Sequence, residues 1–407
     1  MNQFINSMRK PLRIAVVGAG VAGCLVMRGL QQIEEVEVFG IEKGSKENTL
    51  AGTGLNIGPN ALKILQQVDP QLATALQTIG TSLPWNSWKA GLTDGTVIFD
   101  LPLLQVADNP GIRIRWSQLY RQLRSHIVNI HYNTTVVEMD YADSSHLYLV
   151  TEDQVSGKRH HFDDIDLILG CDGRYSQVRQ TFIDTPIPSH LGTCIYRLLV
   201  PNTLNLIDDY QQWFHHGSRL LAFSIPGNKV YIAGSFPLAE DLVIPETAKS
   251  PDFLWNCYKP KHGYSQVCEF LVTAICENIE QIHWARIQEI PPVYGDARGH
   301  ILCIGDSSHA MFPTLGQGAT QAFEDGCFFV AQVRRYLAYQ QNFSVPALVE
   351  SFTATRRDRI KFVQKFSRDA SDSLLAGSNP VTALQAKTQT FFLEKLKRLY
   401  RDTPNCD

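Results

Sequence analysis

Three glycine-bearing stretches hold the residues of this 407-residue chain that could do chemistry. The first is Gly18-Ala-Gly-Val-Ala-Gly23. Gly18 permits a tight turn, Gly20 lets the backbone approach a pyrophosphate, and Gly23 lets a helix pack on a strand. The free N–H groups at Val21, Ala22 and Gly23, aligned with the helix dipole, would then face phosphates. Glu42 follows at the spacing of an acid that accepts from ribose hydroxyls, with Lys43 beside it. The second stretch runs Gly170-Cys-Asp-Gly-Arg-Tyr-Ser-Gln-Val-Arg179 and offers Asp172 and Arg179. The third begins Gly305-Asp306, passes His309, Pro313 and Thr314, and ends Gly316-Gln317-Gly318-Ala319. Asp306 would stand at a strand's carboxyl end, where open α/β sheets bind ligands. The Gly316–Gly318 turn would open a helix whose N-terminus favours negative charge. Taken singly, the second and third stretches also fit structural turns.

The elements that must carry these stretches are legible from periodicity. Residues 13–17 form a short β-branched run, a buried strand by pattern. Leu25, Val26, Leu30 and Ile33 follow at helical spacing, and Val36–Ile41 is the next strand. This β-α-β context raises the first glycine motif above chance. Buried strands are also expected at 166–170 and 300–304, each running into a glycine turn. Helices are expected from Pro59, over 116–127, 318–337 and 345–368, and as a single amphipathic helix over 381–400 docked on the body. Residues 134–151 read as a hairpin around Asp143. From 184 to 290 the texture changes to strands at 194–201, 218–225 and 229–236, with two helices near 251–258 and 264–276. The basic run 356–359 reads as a solvated helix face, and His215 and His216 as a solvent-facing hairpin.

Composition removes other classes. With 37 basic and 40 acidic residues, net charge −3, nothing attracts nucleic acid or an anionic membrane in general. Hydrophobic content of 44% excludes disorder as the dominant state. Nine cysteines without a CxxC pair support neither a zinc site nor a thioredoxin-type motif, so no metal is expected. They fit a reducing compartment, the cytoplasm. The polar first dozen residues show no signal peptide, and no window is long enough to span a bilayer.

In order and spacing the three motifs resemble those of flavin-dependent aromatic monooxygenases of the p-hydroxybenzoate hydroxylase type. The match rests on Gly18, Gly20 and Gly23; on Asp172, Gly173, Ser176, Val178 and Arg179; on Gly305, Asp306, His309, Pro313 and Gly316-Gln317-Gly318; and on Glu324-Asp325. Arg115, before Leu119 and Leu123, fits a further family position. The likeness covers residues 12–335, and residues 52–60 are most similar to the salicylate and hydroxynicotinate branch.

The resemblance implies an α/β fold: a Rossmann-like FAD-binding domain from 1–83, 113–183 and 291–335, an inserted, mainly antiparallel substrate domain from 84–112 and 184–290, and a C-terminal helical region from 336–407. It implies that Gly18, Gly20 and Gly23 hold the FAD pyrophosphate, Glu42 the adenosine ribose, Arg115 the flavin side and Asp306 the ribitol chain. Gly316, Gln317, Gly318 and Ala319 would place N–H groups near the flavin pyrimidine edge, and Pro313 would shape the adjoining pocket. Asp172 and Arg179 would serve FAD and the nicotinamide cofactor. No second GxGxxG occurs, so NADH or NADPH would dock without a domain of its own. The implied reaction is hydroxylation of a small aromatic or heteroaromatic ring by a flavin 4a-hydroperoxide formed from O₂. An epoxidase, another FAD-dependent oxidoreductase or a non-catalytic flavin carrier shares the same fold.

The chain departs from the branch at two places. Where those enzymes often carry a histidine after the motif proline, Thr314 stands, and Asn56 occupies another position that is histidine in some hydroxynicotinate-type sequences. Another group then enriches the ring, or the substrate needs no base: an amino-substituted ring, a polycyclic phenol or an alkene. Arg197, a charge in an otherwise apolar strand, either binds a substrate carboxylate or makes a structural ion pair. Pro313, Thr314, Arg197 and Asn56 are thus the candidates at the reacting ring, while His309 is expected to brace its loop.

Overall fold

The computed structural model describes residues 10–46, 52–239, 243–339 and 344–406; the first nine residues of the segment read as lacking a signal peptide lie outside them. A parallel sheet carries all three motifs. Its strand order is Ile301–Cys303, Leu167–Gly170, Leu12–Val17, Val36–Ile41 and Ile130–His131. Both faces are covered, which is why these strands read as unbroken apolar runs. Ile14, Val16, Leu167 and Leu169 pack towards helices Val21–Leu30 and Gln317–Tyr339. Ala15, Val17, Phe39 and Ile168 face a three-stranded antiparallel sheet through Val136, Leu147 and Leu149.

That smaller sheet contains the expected hairpin, Thr134–Tyr141 with Leu147–Asp153, and a third strand not expected, Arg159–Ile165. The third strand exposes most of its residues, among them His160, His161 and Asp163, so no apolar alternation marked it.

A seven-stranded sheet lies beyond, in the order His283–Glu289, Ser189–Pro201, Lys229–Pro237, Ser218–Ile225, Tyr210–His215, Ser87–Leu92 and Val97–Pro102. All neighbours are antiparallel except the parallel pair Tyr210–His215 and Ser87–Leu92. Alternation along each strand separates two faces. Tyr196, Leu198, Leu220 and Ile232 pack under helices Pro251–Cys257 and Gln266–Glu277. Leu221, Phe223 and Ala233 look the other way, onto Met311 and Leu315 of the third motif and onto Phe366 and Leu396. A second small sheet, Gly54–Ile57, Gly111–Arg115 and Ser82–Trp85, bridges the two regions.

Several expectations need correction. The boundary expected at 113 falls inside strand Gly111–Arg115, and the one at 335 inside helix Gln317–Tyr339; both elements are continuous and hydrogen-bonded across the break. The last helix is two helices, Pro380–Ala386 and Thr390–Arg401. Lys387 caps the first and turns inward, its Nζ 2.5 Å from Asp372 Oδ1. That ion pair, from a buried lysine to an exposed carboxylate, holds a turn which a uniform amphipathic spacing does not record. Within the run 356–359, Arg356 is fully buried rather than solvated, because two carboxylates of the neighbouring helix require it.

Candidate active site and cofactor cleft

The carboxyl ends of strands Leu12–Val17, Val36–Ile41 and Leu167–Gly170 bring the first two motifs together around a cleft of about 370 Å³. Gly18, Gly20, Glu42, Lys43 and Asp172 all line it. Gly18 has φ +99°, and a Cβ there would lie 2.4 Å from the Cys171 carbonyl oxygen, so the second motif itself demands glycine. A Cβ at Gly23 would meet the Gly18 carbonyl at 2.1 Å. Helix Val21–Leu30 starts at Gly20 without a side-chain cap, leaving its first N–H groups for a ligand.

Glu42 accepts from the Ala19 and Gly44 N–H groups, each at 2.7 Å. It thereby fixes the glycine turn and keeps further lone pairs for hydroxyl donors. Lys43 is exposed at the cleft mouth. Arg124, which the sequence reading did not single out, donates to the Ala19 carbonyl at 3.0 Å and lies 3.8 Å from Glu42. It adds positive charge under the turn. In sequence it looks like an ordinary basic residue in a helix's last turn, favourable for the dipole alone.

Asp172 Oδ2 accepts from the Gln177 and Val178 N–H groups, while Oδ1 is buried without a partner. Burial raises its pKa against the opposing hydrogen bonds. Arg179 was expected to serve the cofactors. It is buried, donating to the Ser307 and Arg174 carbonyls, and it clamps the second motif to the third while its Nε has no partner.

In the third motif, Asp325 Oδ2 accepts the Gly305 N–H and faces His309 Nε2, both at 2.7 Å. His309 thus braces the loop, as its position suggested. Asp306 opens the one-turn helix Asp306–His309 and is exposed. A Cβ on Gly318 would stand 3.7 Å from Asp306 Oδ1, so this carboxylate and the start of helix Gln317–Tyr339 border one space. Gly316 is left-handed and exposed, and Gly318 and Ala319 are half-exposed, presenting backbone to a ligand. Gln317 is buried: its Oε1 accepts from Asn60 and Gln321, and its Nε2 has no partner.

Arg115 ends strand Gly111–Arg115 opposite Gly54, with its Nε buried and unpartnered. Neither side-chain polar atom of Asn56 has a partner. Pro313 is exposed at the start of a short turn. Thr314 is tied to the scaffold. Its Oγ1 lies 2.5 Å from Ser371 Oγ, whose proton goes to the Ser367 carbonyl, so Thr314 donates its own. Arg197 is half-buried opposite Ala233 and His283 on the sheet face that looks on the third motif. Sequence reasoning missed Arg219 on that same face, although it too interrupts an apolar strand.

The glycine cradle, the uncapped helix start and the orphaned atoms of Asn56, Arg115, Asp172 and Gln317 fit FAD: a pyrophosphate, a polyol and a ring with donors and acceptors on one edge. No protein-family model matches the chain. It is 25% identical to 6-hydroxynicotinate 3-monooxygenase of Pseudomonas fluorescens, over 89% of this chain and 92% of that one. It is 24% identical to a salicylate hydroxylase of Pseudomonas putida, over 89% and 86%. The crystal structure of Klebsiella pneumoniae HpxO with FAD and uric acid superposes with TM-score 0.75 at 18% identity, covering 95% of this chain and 93% of that one. Likeness over nine-tenths of its length, joined to the shared fold, makes the chain a relative of the FAD-dependent aromatic monooxygenases.

Proposed function

We propose that the chain is an FAD-dependent monooxygenase that takes reducing equivalents from NADH or NADPH, and one oxygen atom from O₂, to hydroxylate a small aromatic or heteroaromatic compound. The observation that carries this reading is the convergence of the three motifs at the carboxyl ends of one parallel sheet, beside a second sheet whose apolar inner face packs on the third motif. Bound FAD supplies the redox and oxygen-transfer chemistry. The chain's residues bind, orient and exclude water. Gly18, Gly20 and the first turn of helix Val21–Leu30 hold the pyrophosphate, with Arg124 adding charge beneath. Glu42 receives the ribose hydroxyls, Asp306 the ribitol, and the N–H groups from Gly316 to Ala319 the pyrimidine edge of the ring. Arg115 and Asn56 turn their unpartnered atoms to the flavin side. Leu221, Phe223, Met311 and Leu315 keep water from the reacting ring.

Nicotinamide docks transiently at the cleft mouth, since the chain has one dinucleotide fingerprint. The cofactor-binding part is discontinuous, interrupted by residues of the large sheet. Nine free cysteines suit a reducing compartment, so we place the protein in the cytoplasm. Among the described residues no helix is long and apolar enough to cross a membrane.

The test is to purify the chain with added FAD and record its visible spectrum. NADH and NADPH oxidation is then followed against hydroxylated, aminated and carboxylated rings, with mass analysis of products. A product heavier by one oxygen is expected. A colourless protein that takes up no FAD, or reductant consumption without oxygen incorporation across the panel, would overturn the reading.

A further inference from the structure

We infer that the groove between helices Val345–Asp369 and Thr390–Arg401 is a docking face for an anionic phospholipid surface, with Phe391 as the inserted side chain and Lys365, Lys395 and Arg398 on the headgroup phosphates. The last helix needs only its inward face to fold onto the body: Leu396, Leu399 and Tyr400 are buried in the core beneath it. Its outward face borders a groove of about 390 Å³ floored by Phe362, Phe366 and Phe391. Phe391 is 73% exposed, whereas the other exposed phenylalanine among the described residues, Phe253, is at 39%. Cations stand over these rings. Lys395 Nζ is 4.4 Å from the Phe391 ring centre, and Arg398 Cζ is 4.2 Å from that of Phe362. An exposed aromatic cluster rimmed by charge is an interaction surface rather than a scatter of single residues.

Charge identifies the partner. Residues 361–369 and 390–401 hold seven basic residues against the two acids Asp369 and Glu394, a surplus of five. Glu289 answers Arg368 and Asp108 answers Arg401, which leaves a surplus of three. The chain as a whole has net charge −3, so the rest of the molecule carries −6 and this face is its positive pole. The acids within the face are already shared: Asp369 between Lys365 and Lys395, and Glu394 with Lys397. Among the described residues no carboxylate pairs with Arg398. Such a pole turns towards a negative surface. The long stems of Lys365, Lys395 and Arg398 can lie along the rings while their heads reach outward. A bilayer interface supplies phosphate for the heads and hydrocarbon for Phe391 in one layer. A soluble acidic partner meets the charges but gives the ring no apolar medium. With one ring inserted, attachment is shallow, reversible and governed by charge. The inference is independent of the monooxygenase reading.

The experiment sediments the full chain with vesicles of phosphatidylcholine alone and of phosphatidylcholine with roughly one-third phosphatidylglycerol. Poly-glutamate serves as a soluble acidic polymer without hydrocarbon. The wild type is expected to bind the anionic vesicles on the order of 10-fold more tightly than the neutral ones, and to come off as salt is raised. Lys365→Gln and Arg398→Gln should each weaken binding about 5-fold, the scale of one basic residue at such a surface. Phe391→Ser should weaken it on the order of 10-fold, and Phe391→Trp should bind at least as well as the wild type. Melting temperature is recorded on every variant. The Phe391 pair keeps the test sound if a charge variant folds poorly, because that side chain is exposed. No binding to either vesicle, equal binding to both, or anionic binding that survives Phe391→Ser overturns the inference. Binding of poly-glutamate without binding of vesicles also overturns it, in favour of an acidic protein partner. Turnover and FAD content, measured on the same samples, report on the monooxygenase reading separately.

Discussion

Replacing Arg356 by methionine removes a guanidinium that holds two adjacent carboxylates inside the protein. Its Nε donates to Asp325 Oδ1 at 2.6 Å, Nη1 to Glu324 Oε2 at 2.7 Å, and Nη2 to Gln321 Oε1 at 2.7 Å. All three charged residues are 0% exposed. After the change Glu324 still has Arg359 at 2.8 Å and Asn60 at 2.6 Å, and Asp325 still has His309 and the Gly305 N–H. Two negative charges then share less positive charge in a fully buried region. Breaking a buried pair in this way costs about 3–5 kcal/mol, roughly two to four powers of ten in the folding constant. The penalty depends on pH with a definite sign. Burial alone would raise both acids. Arg359 and then Arg356 outweigh it to bring Glu324 down to about 2, and His309 and then Arg356 hold Asp325 well below the usual carboxylate range. A folded pKa below the unfolded one contributes stability that is present at neutral pH and lost as pH falls from ~4 towards the folded value. In the variant both folded values rise, so protonation relieves part of the cost and the gap to wild type narrows with acid. Urea unfolding followed by tryptophan fluorescence, at about pH 7.5 and about pH 5, measures the gap. Because Gly305 hangs on Asp325, FAD retention should fall as well. A neutral-pH gap under about 1 kcal/mol, or one that widens with acid, would refute the reasoning.

Three further substitutions separate cofactor contacts from scaffold. Arg124→Gln should weaken FAD binding on the order of 10-fold by equilibrium dialysis, the scale of one charged contact, with little change in melting; unaltered affinity would remove Arg124 from the site. Asp306→Ala should lose FAD during dialysis, because an exposed carboxylate facing Gly318 has no structural duty there, and undiminished occupancy would count against its role. Thr314→Val breaks the hydroxyl pair with Ser371 and should cost about 1 kcal/mol of stability while leaving the pH profile of turnover unmoved; a shifted profile would place Thr314 in the proton path.

The parallel sheet and the first motif were legible because local period and chemistry coincide there: a β-branched run, three glycines, helical spacing and an acid within one βαβ unit. The inserted sheet was legible in part. Residues 194–201, 218–225 and 229–236 declare themselves by hydrophobicity, whereas Tyr210–His215 buries Gln211 and Gln212, and His283–Glu289 keeps most of its side chains only half-buried. The site divides in the same way. Glu42 and Asp306 stand where strand ends meet turns, which spacing can locate. Arg197 and Arg219 carry one and the same local signature, a charge in an apolar strand. What distinguishes them is depth, Arg219 being buried and Arg197 half-buried, and that datum is tertiary. Arg356 was misread for the same reason, since its partners lie 31 and 32 residues away on another helix.

Neutralisation therefore offers a criterion for sorting the polar interior into scaffold and site. A buried polar atom left without a partner costs about 1–3 kcal/mol, and an unpaired charge more. Natural folds satisfy such atoms unless something else supplies the bond. Thr314, Arg356 and Glu324 have their bonds filled from within, so their substitution should register in stability first and in chemistry only through position. Asn56, Arg115, Asp172 Oδ1 and Gln317 Nε2 do not, and they flank the space between the glycine turns and the third motif. Arg219 and Ser235 do not either, and they lie on the facing sheet. Substitution at these positions should therefore register in ligand binding before it registers in stability.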